Sequence, residues 1–169
     1  LGSPRMAEMV IGEITTLDEL GGARMHTSRS GCGDFLCKTE QEAIQGVRDY
    51  LSYLPANNKS QPETIDSKSP AVDPAEIANI IPENENQPFD VTKVIEAFVD
   101  EGSFFEIKKR FAKGLVKGFE RLNGETIGIV ANQSKSKGGV LFVDSADKAA
   151  RFIWLCNAFN IPLVFLADV

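Results

Sequence analysis

Gly138 and Gly139 are the residues of this chain with the clearest chemical use. They stand in a loop, Gln133 to Gly139, between two apolar runs that read as strands, Glu125 to Ala131 and Val140 to Val143. Adjacent glycines let a backbone approach a ligand closely and leave amide N–H groups to point at it. Donors held that way stabilise a developing negative charge. A tight turn between strands explains the same pair, and from the residues alone the two readings stand even.

Other constellations are weaker. His26 is the one histidine, and Thr27, Ser28 and Ser30 surround it. A Ser–His–Asp hydrolase would use such residues, but no G-x-S-x-G elbow accompanies them, so a structural histidine is preferred. Cys32 and Cys37 lie near His26, yet structural zinc wants four ligands and no fourth is evident; no metal is expected. There is no G-x-x-x-x-G-K-[ST] loop, and Gly31-x-Gly33 does not follow an apolar strand as a dinucleotide fingerprint would. Asp144 and Asp147 sit at a helix start, where capping and the helix dipole account for them better than acid–base chemistry. No side chain here is expected to be catalytic.

The 169 residues are 43% hydrophobic and 25% charged, with a net charge of −6. That is a globular composition, and the acidic balance argues against a nucleic-acid partner. The densest positive run, Lys108, Lys109, Arg110, Lys113 and Lys117, reads as a solvated face, with a phosphate-bearing ligand as the alternative. No run of 18 apolar residues is present, so no membrane span is expected. Three cysteines and no secretory signal point to a reducing cytoplasm.

The elements that must position the loop follow from caps and periodicity. Ser3-Pro4 opens a helix that Gly12 closes, and Thr16 with Glu19 forms a capping box. Thr39 with Glu42 forms another, before a helix carrying Ala43, Ile44, Val47, Leu51 and Leu54. Residues 56–88 hold five prolines among Asn, Ser, Gln and Glu and read as a linker with a short turn near Ile77 to Ile81. Asp90 caps a helix whose apolar positions run from Val91 to Val99. Phe104 to Ile107 reads as a short strand. Leu115 to Leu122 and Glu125 to Ala131 flank Asn123-Gly124, the strongest hairpin signal in the chain. Asp144 or Ser145 caps a helix, Ala146 to Phe159, that is apolar on most of its circumference and therefore expected to be buried all round. Asn160 and Pro162 end it, and Leu163 to Ala167 reads as a strand covered on both faces. A sequence that stops on such a strand reads as a piece of a larger enzyme.

The run GIVANQSKSKGGVLFVDSADKAARFIWLCNAFNIPLVFLADV resembles the carboxyltransferase (beta) subunit of biotin-dependent acyl-CoA carboxylases, the propionyl-CoA carboxylase type in particular. GEITTLDELGGARMHTSRSGCGDFL resembles the end of that family's N-terminal domain. TEQEAIQGVRDYLSYLP resembles the helix before its linker, and PFDVTKVIEAFVDEGSFFEIKKRFAKGLVKGFERLNG the start of its C-terminal domain. The similarity is collinear and spares mainly the linker.

The resemblance implies an α/β, crotonase-like β-β-α spiral with parts of two similar domains. Residues 1–55 would end the first carboxyltransferase domain, 56–88 link, and 89–169 begin the second. It implies transfer of a carboxyl group from carboxybiotin, carried on a partner protein, to the α-carbon of a short acyl-CoA, with the enolate held by peptide N–H groups. Biotin and acyl-CoA are the implied cofactor and substrate. A biotin carboxylase or carrier subunit and a homo-oligomer, a hexamer, are the implied partners. The family's main oxyanion sequences fall outside this chain, so the piece alone is expected to be inactive. Asn132, Gln133, Gly138, Gly139 and Val140 match the strand-loop segment near the biotin side, where the Gly139 and Val140 amides would supply a donor. A biotin-dependent decarboxylase of a sodium pump resembles the same family. A non-catalytic crotonase-fold binding protein is the reading from another class.

Overall fold

The computed structural model describes residues 2–84 and 86–168. The caps read from the sequence start its first helices. Ser3 accepts from the Met6 N–H at the head of α1 (Pro4–Ile11), and Gly12 closes it with φ 70°. The Thr16–Glu19 capping box starts α2 (Leu17–Gly21). α3 (Ala23–Ser28), which no sequence signal announced, follows at Gly22. Thr39 caps α4 (Glu40–Ser52), but its expected capping box is half made: the Glu42 carboxylate takes the N–H of Lys38. Residues 56–88 hold a 3₁₀ turn, Pro74–Glu76, and the short α5 (Ile77–Ile80). Asp90 caps α6 (Val91–Glu96), which ends earlier than the apolar run to Val99 suggested.

One sheet organises the rest. Its strands are β1 (Phe105–Glu106), β2 (Leu115–Leu122), β3 (Glu125–Asn132) and β4 (Leu163–Leu166), in that order across the sheet. β1, β2 and β3 are antiparallel neighbours, and β4 joins β3 in parallel. Asn123 and Gly124 have φ 53° and 79°, the two positive values of a type I′ turn, and they set the β2–β3 register from Leu122↔Glu125 to Leu115↔Asn132. α7 (Val143–Ala158) crosses from β3 to β4.

Both faces of the hairpin are covered, so β3 reads as a continuous apolar run rather than an alternating one. On one face, Leu115, Phe119 and Val130 pack with Phe152 and Cys156 of α7 and with Tyr53 just after α4. Phe119 sits between Tyr53 and Phe152, with ring centroids 5.7 and 5.1 Å away. On the other, Val116, Ile127, Ile129 and Ala131 meet Val91, Ile95 and Val99.

Three expectations change near the glycine loop. Val140 to Phe142 is not a strand, and α7 already begins at Val143. Ser145, three residues on, bonds back: its hydroxyl accepts the Phe142 N–H at 2.7 Å and donates to the Phe142 carbonyl at 2.8 Å. α7 is buried along Ser145, Lys148, Phe152 and Cys156 only, and Trp154 is 70% exposed. β4 is an edge strand, and Phe165 faces outward. Among the described residues no helix is long and apolar enough to cross a membrane.

Glu120 of β2 is fully buried, and neither of its carboxylate oxygens has a hydrogen-bond partner among the described residues. Burial, with a smaller push from Glu96, raises its pKa from 4.5 to about 9. Its proton is therefore retained on folding while the unfolded chain loses it. Stability falls as pH rises from the unfolded pKa toward the folded one. Replacing Glu120 by Met, of similar volume and without charge, is expected to give a more stable protein at pH 8. The advantage over the parent should widen by about 1.4 kcal/mol per pH unit between pH 5 and pH 9. Denaturant unfolding of both proteins across that range checks it; a gap independent of pH sinks the assignment.

Candidate functional site

The five residues singled out in the sequence gather where β3 ends beside β4, at the carboxyl ends of the two parallel strands. Ligand crevices of open α/β sheets form at such ends. Asn132 is the strut. Its Nδ2 donates to the Asp168 carbonyl at 2.7 Å, and its Oδ1 accepts the Asp168 N–H at 2.8 Å. Gln133 keeps the chain on the sheet through its N–H to Gly114 O at 2.8 Å. Its Nε2 reaches Asp90 Oδ1, also at 2.8 Å. Burial would raise the Asp90 pKa, but bonds from Thr92 and Gln133 outweigh it and hold the carboxyl below its ordinary value.

The loop then turns through Lys137, Gly138 and Gly139, with φ 53°, 66° and 70°. Left-handed backbone at successive residues suits glycine and strains lysine. The Gly139 N–H donates to Ser136 O at 3.0 Å and the Val140 N–H to Lys137 O at 3.4 Å, so both are engaged within the turn. Gly139 is buried against Asn132: a Cβ there would stand 2.8 Å from Asn132 Nδ2. Asn132, Gln133 and the glycines are thus one unit of structure. Their open sides differ. Gly138 lines a cleft of about 670 Å³ with Ser134, Phe89 and Asp168; Gln133 lines one of about 470 Å³; Val140 lines one of about 290 Å³.

The positive run splits in a way the sequence reading did not foresee. Lys109, Arg110 and Lys113 are exposed, but Lys108 and Lys117 are buried. Lys108 pairs with Asp34 at 2.9 Å and donates to the Gly31 carbonyl. Lys117 lies 5.2 Å from the Phe152 ring centroid, and burial lowers its pKa to about 8. Lys148, also lowered to about 8 by burial, donates to the carbonyls of Phe111, Ala112 and Leu115 at 2.8, 3.4 and 2.6 Å. Sequence reasoning missed Lys148, although the spacing 145, 148, 152, 156 does place it on the buried side of α7.

The hydrolase constellation does not assemble. His26 Nδ1 lies 2.9 Å from Ser30 Oγ, while Asp34 is taken by Lys108. Among the described residues no group of three or more His, Cys, Asp or Glu side chains is placed to hold a metal. Neither Asp144 nor Ser145 is the cap residue: both lie in the first turn of α7, Phe142 stands at the cap position, and the Ser145 hydroxyl accepts its N–H.

Comparison with known proteins matches residues 1–169 to a family described as the carboxyl transferase domain. A Bacillus subtilis (strain 168) protein named as an uncharacterized carboxylase, YngE, is 60% identical over all of this chain and 33% of its own length. The propionyl-CoA carboxylase carboxyltransferase subunit of Haloferax mediterranei is 43% identical over 98% of the chain and 32% of its own length. Among solved structures, transcarboxylase 12S with hydrolyzed methylmalonyl-coenzyme A bound superposes with a TM-score of 0.92 at 37% identity, over 97% of this chain and 32% of that one. The fold is therefore of the crotonase-like kind, and the chain spans about a third of the length of the curated relatives it matches.

Substitution of Gly139 by Ala tests the strut. The left-handed φ and the approach to Asn132 should together cost about 1–3 kcal/mol. Amide hydrogen exchange at Asp168 should accelerate as the Asn132 bridge loosens. Unchanged protection there would mean that the loop and the strand end are independent.

Proposed function

The chain belongs to the carboxyl transferase domain family, and from that membership we propose that the full-length protein is the carboxyltransferase subunit of a biotin-dependent acyl-CoA carboxylase. It moves a carboxyl group from carboxybiotin to the α-carbon of a short acyl-CoA, propionyl-CoA first. Residues 1–55 end one carboxyltransferase domain, 56–88 link, and 89–169 begin the second. The subunit works as a homo-oligomer in the cytoplasm with a biotin carboxylase or carrier partner. The three free cysteines, Cys32, Cys37 and Cys156, are in keeping with that compartment.

The observation that carries the reading is the glycine loop at the carboxyl ends of β3 and β4, backed by Asn132, with a cation-lined cleft at its Lys137 and Val140. Bound carboxybiotin would supply the carboxyl group from its ureido nitrogen, and that nitrogen would take up the proton lost from the α-carbon when the thioester's enolate accepts the group. That chemistry requires donors at a developing oxyanion rather than a nucleophilic side chain. Val140 is the donor best suited to re-aim toward a ligand oxygen, since its present bond is long at 3.4 Å. Gly138 and Gly139 give the backbone room to approach. Asn132 and Gln133 hold the loop to β4 and α6. These residues position the biotin side of the site, and the remaining donors come from parts of the protein beyond this chain.

The test uses the full-length protein with free biotin and, in turn, malonyl-CoA, methylmalonyl-CoA and methylglutaconyl-CoA, following carboxyl loss. Turnover with methylmalonyl-CoA is expected. Turnover with one of the other two keeps the carboxyltransferase and changes the acyl group. No turnover with any of them, from a folded oligomer, overturns the reading.

A further inference from the structure

The clefts of about 290 and 470 Å³ share Ser28, Arg110, Lys113 and Ser136, so they form one groove beside the glycine loop. One wall of that groove is the segment from Arg110 to Gly114, which leads into β2. Its backbone is irregular. Ala112 is left-handed at φ 44°, and the turn bonds of the segment run from Phe111 N–H to Lys108 O and from Leu115 N–H to Ala112 O, both at 3.1 Å. A stretch of that shape keeps it only where outside partners satisfy its polar groups.

Two partners meet it. Lys148 of α7 is the first. It is 2% exposed, lines neither cleft and, among the described residues, is in no ion pair. Its ammonium donates to the carbonyls of Phe111 and Leu115 at 2.8 and 2.6 Å and reaches that of Ala112 at 3.4 Å, so all its bonds go to this one segment. The glycine loop is the second partner. The Gly114 carbonyl accepts the Gln133 N–H at 2.8 Å, and a Cβ on Gly114 would stand 3.3 Å from Ser136 O and 3.5 Å from Val140 O. Lys148 therefore grips residues on both sides of the one on which the glycine loop is seated. A buried ammonium carries a desolvation cost that an apolar residue of similar length would avoid, so its use here lies in the bonds it makes.

We propose that Lys148 is a positioning residue for carboxyl transfer. By fixing Phe111 to Leu115 from inside the fold, its ammonium sets where Gly114 stands, and with it the seat of the glycine loop and the aim of the Val140 amide. What the loop does is taken from the carboxyltransferase reading; how the loop is held is not. A small displacement of such a loop is enough to misplace a reacting group.

The experiment uses Lys148→Met in the full-length protein, with assembly checked by light scattering. Free-biotin-dependent decarboxylation of methylmalonyl-CoA is measured with each substrate varied in turn. The kcat/KM for biotin should fall at least about tenfold, while the KM for methylmalonyl-CoA stays within about twofold. Amide hydrogen exchange at Gln133 should accelerate, with protection across the β2–β3 hairpin unchanged. A loss shared equally by both substrates overturns the proposal, because it marks a merely structural lysine. So does an assembled variant with the parent's rates. Where Lys148→Met fails to assemble, Lys148→Gln, which keeps two N–H donors on a shorter arm, should show the same split at smaller size, and the absence of a split is decisive against it. A parent that turns over none of the acyl-CoA substrates fails the functional reading and the assignment to carboxyl transfer with it. Exchange at Gln133 then still decides whether Lys148 holds the glycine loop: faster exchange in the variant upholds that link, and unchanged exchange removes it.

Discussion

The structure hangs on how the Asn123-Gly124 turn is satisfied. Asp100, almost fully buried, accepts the N–H groups of Asn123 and Gly124 at 2.9 and 2.8 Å and that of Lys68 at 3.3 Å. Arg121, equally buried, lies over the Tyr53 ring and donates to the carbonyls of Ser52, Glu63 and Gly124. Ile65 adds a backbone bond to Gly124 O at 3.1 Å. Two charges of opposite sign thus satisfy backbone groups from the C-terminus of α4, the segment from Glu63 to Lys68 and the hairpin. Charge-assisted bonds to buried backbone are strong, and removing one partner leaves the other groups unsatisfied. This node is why a proline-rich segment with few apolar residues lies against the sheet instead of trailing from it.

The site depends on the node indirectly. With α4 docked through Tyr50, Tyr53 and Leu54, the segment that precedes it is carried past β1, where Asp34 meets Lys108 and Gly31 meets the same ammonium. That contact brings Ser28 and Arg29 to one lip of the groove. The other lip comes from β3 and α7, whose placement the hairpin register sets. Residues more than a hundred positions apart share a groove because one turn and its buried charges fix the layers between them.

Much of this was legible. Ser3, Thr16, Thr39 and Asp90 each cap the helix they were expected to cap, because a short oxygen-bearing side chain before an apolar period has few other uses. Asn-Gly set the hairpin through its own backbone preference. The start of α7 was misread because Val140 to Val143 is apolar enough for a strand; only a reciprocal bond from inside the helix, Ser145 to Phe142, decides the boundary. The fate of the positive run was hidden for a different reason. Whether a lysine is solvated depends on carbonyls supplied by distant segments, and nothing in K-K-R-F-A-K names Gly31 or Lys148 as the groups that fix that loop.

The buried ionisable groups divide by what faces them. Lys148 lies among carbonyls with their lone pairs turned toward it, so its charge has somewhere to go even though burial brings its pKa to about 8. Its ammonium donates to the carbonyls of Phe111 and Leu115 and shares that of Ala112 with the Leu115 N–H, in the loop that leaves Arg110 and Lys113 exposed. Glu120, in register with Ile127 and on the same side of β2 as Val116 of the other apolar layer, has no donor among the described residues. Taking an unpaired carboxylate out of water costs far more than holding a proton on it, so Glu120 persists in the core as the neutral acid. One buried charge is stable because of the geometry it fixes; the other is tolerated because it can cease to be a charge.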